Sequence, residues 1–290
     1  MMKHILVPTD FSECAEDALK VAARLAKMSG AVLHVAHVYF NVQPTFIYGI
    51  EDDDGSITER LRDNIQEQLD VLLKLPELEG LNVQKHCIMN KPLWDIMDLE
   101  TLKNMDIIIM GSHGSSGVRE FFIGSNAQKL VQAAICPVLV VKQYFELEKV
   151  KNVLFASNFY TQAIESFEPI KEFIDLVNAR THLLKVITPG NFEETAHSEQ
   201  LMNEFAHIAD LKDHTIGIYN SASIERGIHD YADKMKADLV CIETHGRSGL
   251  GHWLAGSLAE RVANHADVPV LTMKIEDPNM EYGAIFPESK

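Results

Sequence analysis

A glycine-rich segment carries the clearest potential for chemistry in this sequence. Gly111-Ser112-His113-Gly114 is followed by nine residues and then by Gly124-Ser125-Asn126. An apolar run ending at Met110 predicts a buried strand before it, and an amphipathic pattern over Ala127–Ala134 predicts a helix after it. Glycines let the backbone approach a ligand closely, and a helix N-terminus presents unpaired N–H groups and a positive dipole end. The spacing therefore predicts an anion site that suits a phosphate.

Simpler interpretations of this loop compete with a phosphate site. Two glycines after a strand are common in turns that bind nothing. The segment lacks the Gly-Lys-Ser/Thr ending of a P-loop, and its glycines are spaced more widely than in the G-x-G-x-x-G of dinucleotide-binding folds. Three glycines and a hydroxyl between a strand and a helix are more specific than a turn alone.

The composition of the 290 residues excludes several classes of function. Contents of 46% hydrophobic and 23% charged residues are those of an ordinary soluble globular protein. A formal net charge of −16 argues against a nucleic-acid partner, which needs a basic face. No apolar run approaches the ~20 residues of a membrane helix, and no signal peptide precedes the first predicted strand. The four cysteines lack metal-ligand spacing, so we expect a cytoplasmic protein with reduced thiols, no membrane partner and no metal site.

The chain contains an internal repeat. His4–Phe11 recurs as Asn152–Phe159 at an offset of 148 residues, whereas Gly124-Ser125 recurs as Gly256-Ser257 at an offset of 132. A longer loop in the first copy, with an acidic run at Glu51–Asp54, accounts for the difference. We therefore expect a first domain at 1–145, a second domain at 146–276 and a C-terminal tail at 277–290.

Apolar strands alternate with amphipathic helices in both copies. Such an alternation predicts an α/β fold whose parallel sheet is covered by helices on both faces. Ser12 is expected to cap the first helix and Gly30 to end it. The predicted strands are Lys3–Pro8, Ala31–Val38, Leu81–Met89, Asp106–Met110 and Val138–Val141, then Val153–Ala156, Thr181–Ile187, Thr215–Tyr219, Ala237–Ile242 and Val270–Met273. The other helices predicted in the first copy are Ile57–Leu75, Leu93–Lys103 and Ser125–Ala134.

Residues that follow the first, second and fourth strands should meet in one crevice, where open parallel sheets bind ligands. In the first copy these are Pro8-Thr9-Asp10, Val38-Tyr39 and Met110-Gly111. The alternatives are that Asp10 only forms a turn into the first helix, and that Val38 belongs to the core.

The sequence resembles the universal stress protein (UspA) family, whose ATP-binding members carry G-x-x-G, nine residues and then G-[S/T]. The first copy matches this pattern at every fixed position, with Gly111, Gly114, Gly124 and Ser125. The resemblance implies two tandem open five-stranded parallel-sheet domains of the Rossmann-like, adenine-nucleotide alpha hydrolase-like type.

The resemblance also implies roles for residues of the first copy. Asp10 would contact the nucleotide near its ribose, and the backbone of Val38 would read the adenine edge. Met110 would flank the base and sugar. The phosphates would lie against Gly111, Gly114, Gly124, Ser125 and Asn126. Pro8 and Thr9 would line the same crevice, and His113, inside the glycine loop, would approach a phosphate. For His113, an exposed loop histidine is the alternative.

The second copy departs from the family pattern where the phosphates would lie. Glu243 replaces the first glycine, and Asn158 replaces the acidic residue after the first strand. A carboxylate facing a phosphate at ~4 Å repels it by roughly 1–4 kcal/mol. We therefore expect a degenerate site, in which Glu243 accepts hydrogen bonds from helix-opening amides near Ser257 as an internal phosphate mimic. The competing interpretation is a metal site of Glu243, His245 and His252.

The resemblance implies a stress-response module that binds ATP in its first domain and acts through conformation or partner binding. Hydrolysis would be slow at most, with Mg²⁺ held by phosphates and water. No general base is visible beside the loop. A nucleotide hydrolase or adenylyl-transferring enzyme, and a non-binding dimerisation scaffold, are the alternatives. Related single-domain proteins pair through their fifth strands, which implies an intrachain pseudo-dimer here, with a homodimer of chains as a further level.

Overall fold

The structure is a computed structural model, and it describes residues 1–40, 56–114, 124–160, 162–245, 261–263, 266 and 268–275. The predicted tail at 277–290, the acidic run at 51–54 and the counterpart of the glycine loop at 246–257 lie outside the described residues.

Both repeats fold as alternating strands and helices. The first contains β1 (His4–Pro8), α1 (Glu13–Ser29), β2 (Val32–Tyr39), α2 (Ser56–Leu72), β3 (Val83–Met89), β4 (Ile107–Gly111), α3 (Ser125–Ala133) and β5 (Val138–Val141). The second contains β6 (Asn152–Ala156), α4 (Gln162–Val177), β7 (Arg180–Ile187), α5 (Thr195–Ile208), β8 (His214–Asn220), α6 (Ile224–Met235), β9 (Leu239–His245) and β10 (Val270–Ile275). Short 3-10 helices lie at Pro76–Leu78, Leu93–Asp98 and Leu147–Lys149.

The ten strands form one continuous sheet in the order β3-β2-β1-β4-β5-β10-β9-β6-β7-β8. Each repeat contributes five parallel strands, and the two sets meet where β5 pairs antiparallel with β10. Val140 lies opposite Val270, and Thr272 lies opposite Val138. The fold is therefore the predicted α/β arrangement, and these two segments pair within the chain as predicted.

Two hydrophobic layers cover the two faces of the sheet. Residues of α1, α2, α4 and α5 pack on one face, around Leu19 and Phe155. Residues of α3 and α6 and the 3-10 helix at Leu93–Asp98 pack on the other face, around Leu130 and Ile108. Each layer contains residues of both repeats, so each layer runs through both halves of the chain.

The ends of α1 follow from its sequence. The Ser12 side chain accepts a hydrogen bond from the Ala15 N–H, and Gly30 adopts a left-handed conformation with φ of 74°. A left-handed residue at a helix C-terminus favours glycine, which has no Cβ to clash. Both predicted helix boundaries are confirmed.

The predicted helix over Leu93–Lys103 is wrong in type and length. The structure has a 3-10 helix at Leu93–Asp98, continued by turns. Its apolar side chains recur every three residues, at Leu93, Ile96, Leu99 and Leu102, and pack on the sheet. Three residues complete one 3-10 turn, so this spacing puts Leu93 and Ile96 on one face of the helix, and Leu99 follows as its extended C-cap.

The same carboxylate anchor recurs at the start of both repeats. Asp106 Oδ2 accepts hydrogen bonds from the backbone N–H groups of Lys3 and His4, at 2.6 and 2.8 Å. Asp238 Oδ2 accepts the matching pair from Lys151 and Asn152, at 2.8 and 2.9 Å. Each aspartate thus joins the start of the fourth strand of its repeat to the start of the first.

Among the described residues, no helix is both long enough and apolar enough to cross a membrane.

Candidate functional site

The glycine loop lies at the carboxyl ends of adjacent strands. β2, β1 and β4 are neighbours in the sheet and run parallel, so their carboxyl ends share one edge. The turn after β1 is held to β2 because the Thr9 N–H donates to the Ala36 carbonyl at 2.8 Å. This edge is where open parallel sheets bind ligands.

Asp10 and Gly114, which are far apart in sequence, lie against each other. A Cβ atom on Gly114 would stand 2.3 Å from Asp10 Oδ2. Asp10 Oδ1 accepts a hydrogen bond from the Ser12 N–H at 3.1 Å, as the turn interpretation of this residue requires. The exposed carboxylate therefore has two roles: it stabilises the turn into α1, and it lies beside the glycine loop.

The two described ends of the loop are closed by backbone hydrogen bonds. The Gly124 N–H donates to the Ser112 carbonyl at 2.7 Å, and the Ser112 N–H donates to the Val141 carbonyl at 2.8 Å. The Gly124 N–H group therefore already has an acceptor within the protein. The nine residues between Gly114 and Gly124 lie outside the described part of the chain.

The N-terminus of α3 offers the amides that a phosphate needs. Gly124 is the N-cap, and the Gln128 N–H makes the first intrahelical bond to its carbonyl at 3.0 Å. The N–H groups of Ser125, Asn126 and Ala127 precede that bond, so the helix itself gives them no acceptor. Ser125 and Asn126 are exposed, and they stand at the positive end of the helix dipole.

The other predicted site residues are more enclosed. Met110 is 5% exposed and packs in the core on the α3 face, so little of its side chain is available to a ligand. Val38 is half-buried and packs against the same layer. Pro8 and Thr9 are buried, and Thr9 Oγ1 accepts from the Phe11 N–H at 3.1 Å. His113 is half-buried, with Nδ1 3.0 Å from Ser112 Oγ.

Two contacts at this edge gave no signal in the sequence. A Cβ on Gly111 would lie 2.9 Å from Cys14 Sγ and 3.0 Å from the Cys14 carbonyl, so Gly111 is required by the close approach of α1. His37 Nδ1 lies 2.8 Å from the Thr9 carbonyl oxygen, which fixes the turn after β1 from the side of β2. Neither residue belongs to a motif that marks such a role.

The family follows from comparison with known proteins. The model of the universal stress protein family matches residues 1–142 and 167–274. This chain belongs to the universal stress protein family. Because the two matched segments correspond to the two repeats, it is a tandem two-domain member.

Relatives of two lengths match this universal stress protein. One from Synechocystis sp. is 22% identical over 293 residues and covers 94% of this chain and 100% of the relative. One from Methanocaldococcus jannaschii is 32% identical over 143 residues, which are 49% of this chain and 84% of the relative. Among solved structures, a universal stress protein from Archaeoglobus fulgidus aligns with a TM-score of 0.72 and 20% identity, covering 94% of this chain and 98% of that one. The last comparison shows that the fold extends over both repeats.

In the second repeat, Glu243 points into the protein. Its buried carboxylate accepts hydrogen bonds from Ser166 on α4 and from Ser157 at the end of β6. Burial raises the pKa of Glu243 to about 7, although the two serine hydrogen bonds lower it. The described partners are thus serine hydroxyls. The predicted partners near Ser257 lie outside the described residues.

Lys129 on α3 contacts an aromatic ring, and its Nζ lies 4.0 Å from the centroid of the Trp94 ring. Within the described ranges, no group of three histidine, cysteine, aspartate or glutamate residues has the geometry to hold a metal ion. His252, one member of the alternative metal site, lies outside those ranges.

Proposed function

We propose that the first repeat of this universal stress protein binds ATP and that the chain acts as a stress-response binding module. The observation that supports this most is the N-terminus of α3. There, N–H groups without an intrahelical acceptor belong to the exposed residues Ser125 and Asn126, next to the glycine loop and at the carboxyl ends of the strands. The triphosphate would lie against Ser125 and Asn126, with Mg²⁺ held by its oxygens and water.

Asp10 completes the proposed site. Its exposed carboxylate lies on the turn between β1 and α1 and directly against Gly114. A carboxylate suits ribose hydroxyls, because it accepts charge-assisted hydrogen bonds from them. The backbone at Val38 would meet the adenine edge, and Pro8, Thr9, Met110, Gly111 and His113 would form the enclosing wall.

The second repeat has a different role in this proposal. Glu243 fills the position of Gly111 with a buried carboxylate, and we infer that this repeat takes up no ATP. Residues 1–145 and 146–276 then form a binding domain and a degenerate domain. The antiparallel pairing of β5 with β10 supports an intrachain pseudo-dimer. The four free cysteines are consistent with a cytoplasmic location.

Calorimetric titration with ATP and Mg²⁺ tests this function. We expect one ATP per chain, and a loss of at least about tenfold in affinity in Gly124→Glu, which sets a carboxylate at the helix N-terminus. Gly190→Glu is the matched control, because it adds the same charge at an exposed loop glycine where the nearest atom to a Cβ would be Thr188 Oγ1 at 4.0 Å. Equal affinity in both variants would contradict the proposal.

A further inference from the structure

Three donors from three elements converge on the Glu193 carboxylate in the second repeat. Tyr160, just before α4, donates its hydroxyl to Oε1 at 3.0 Å. Lys185 on β7 and Ser198 on α5 both donate to Oε2. We call Lys185, Tyr160 and Ser198 the carboxylate cradle. Both oxygens are held, as in a site built to bind a carboxylate.

The cradle is enclosed. The side chains of Lys185 and Glu193 are 6% and 16% exposed, and Lys185 Nζ lies 5.1 Å from the centroid of the Tyr160 ring. Burial raises the pKa of Glu193, but hydrogen bonds from Lys185 and Ser198 outweigh it and hold the pKa below its ordinary value. Desolvating a lysine this fully is costly unless an anion occupies the cradle.

The Glu193 carboxylate reaches the cradle from a loop outside the sheet. Lys185 lies near the carboxyl end of β7, whereas Glu193 is carried by the loop between β7 and α5. Phe192, next to it on that loop, is 81% exposed, so the loop faces solvent at this position. Asn191 ties the start of the loop to β7 by accepting from the Thr188 N–H at 2.6 Å, which leaves Glu193 beyond the tie.

The cradle is particular to the second repeat. At the offset that relates the two repeats, His37 takes the place of Lys185 and Ser12 that of Tyr160. His37 contacts the Thr9 carbonyl, and Ser12 caps α1. The edge that serves the glycine loop in the first repeat is thus equipped differently in the second.

We propose that the carboxylate cradle is a binding site for a small carboxylate ligand, and that Glu193 is a tethered occupant which such a ligand displaces. Lys185 and Ser198 would hold one ligand oxygen and Tyr160 the other. This site is separate from the proposed nucleotide site in the first repeat and does not depend on it.

Rescue of Glu193→Ala in the full chain tests the cradle. We expect this variant to unfold at a lower temperature than the wild type, because it leaves Lys185 without its anion. Acetate should restore most of the loss in a saturable way, because it supplies the anion that Lys185 then lacks. Chloride at equal ionic strength should not. Lys185→Met/Glu193→Ala is the matched control and should show no response to acetate.

A variant that keeps Glu193 tests whether acetate displaces this side chain from the cradle. Phe192→Trp places a fluorescent reporter at an exposed loop position, and we expect its emission to change as acetate replaces Glu193. The change should need roughly ten- to a hundredfold more acetate than the rescue, because the tethered carboxylate competes. Absence of rescue, or equal rescue in the double variant, overturns the site. An unchanged emission at saturating acetate overturns the displacement.

Discussion

At the scale of single residues, the contact between Asp10 and Gly114 controls the shape of the proposed nucleotide site. Gly114 is half-buried, and its role is to leave space that the Asp10 carboxylate fills. A glycine of this kind is needed for a close approach rather than for an unusual backbone conformation.

Gly114→Ala should weaken ATP binding by about tenfold while leaving the free energy of unfolding nearly unchanged. The added methyl group would stand 2.3 Å from Asp10 Oδ2, so the carboxylate must move away. Tenfold corresponds to about 1.4 kcal/mol of binding free energy. Calorimetry on Gly114→Ala, Asp10→Ala and the double variant gives a thermodynamic cycle. We expect the effect of Gly114→Ala to shrink in the Asp10→Ala background, and additive losses would refute the contact.

Glu243 makes stability depend on pH in a defined direction. Its pKa is raised from 4.5 to about 7, so between these values the folded chain holds a proton that the unfolded chain has lost. Its contribution is therefore complete below pH 4.5 and is lost as the pH rises to about 7. Relative to Glu243→Gln, the wild type should lose up to about 3 kcal/mol of unfolding free energy across this window.

Denaturant unfolding across that pH range measures the effect. Glu199→Gln, which removes an exposed carboxylate on α5, is the control. Parallel curves for the wild type and Glu243→Gln would show that Glu243 does not titrate in this window.

Among elements, the repeated aspartate anchors join the first and fourth strands of each repeat. Asp106→Ala should lower the free energy of unfolding by about 1–3 kcal/mol, because it leaves the part-buried His4 N–H and the exposed Lys3 N–H without their acceptor. Asp106→Asn keeps an acceptor oxygen and should lose less. Asp238→Ala should reproduce the loss in the second repeat. Chemical denaturation measures all four proteins, and equal losses in the alanine and asparagine variants would contradict this account.

The sequence predicted the elements well where one local signal dominated. Strands such as Val138–Val141 are buried on both faces and read as apolar runs, and caps such as Ser12 and Gly30 act within one turn. The helix expected over Leu93–Lys103 failed because its apolar spacing of three residues fits a 3-10 helix as well as an α-helix. Only packing on the sheet decides between the two.

The candidate site was predictable in part for a similar reason. Asp10 follows β1 and Gly114 follows β4. Because parallel strands end at the same edge of a sheet, the sequence could predict that these two residues lie close together. The contacts of Gly111 with Cys14 and of His37 with Thr9 depend on how α1 and β2 pack against that edge. The inward direction of Glu243 likewise depends on Ser166, which lies on another element. None of these has a local sequence signature.

Across the whole molecule, the antiparallel seam between β5 and β10 sets the relation between the two repeats. The strands of one repeat run opposite to those of the other, so their carboxyl ends lie at opposite edges of the ten-stranded sheet. The glycine loop is therefore remote from Glu243 and from the carboxylate cradle. The edge of the first repeat presents the N-terminus of α3. The edge of the second repeat contains the carboxylates of Glu243 and Glu193.

Counting bound nucleotides by native mass spectrometry of the intact chain tests the central claim most directly. We predict one ATP per chain in the wild type, none in Gly124→Glu and one in Gly190→Glu. Two per chain in the wild type would contradict the degenerate role of the second repeat. One per chain that survives in Gly124→Glu would contradict the placement of the phosphates at α3, and no bound nucleotide in any of the three would contradict the proposed function itself.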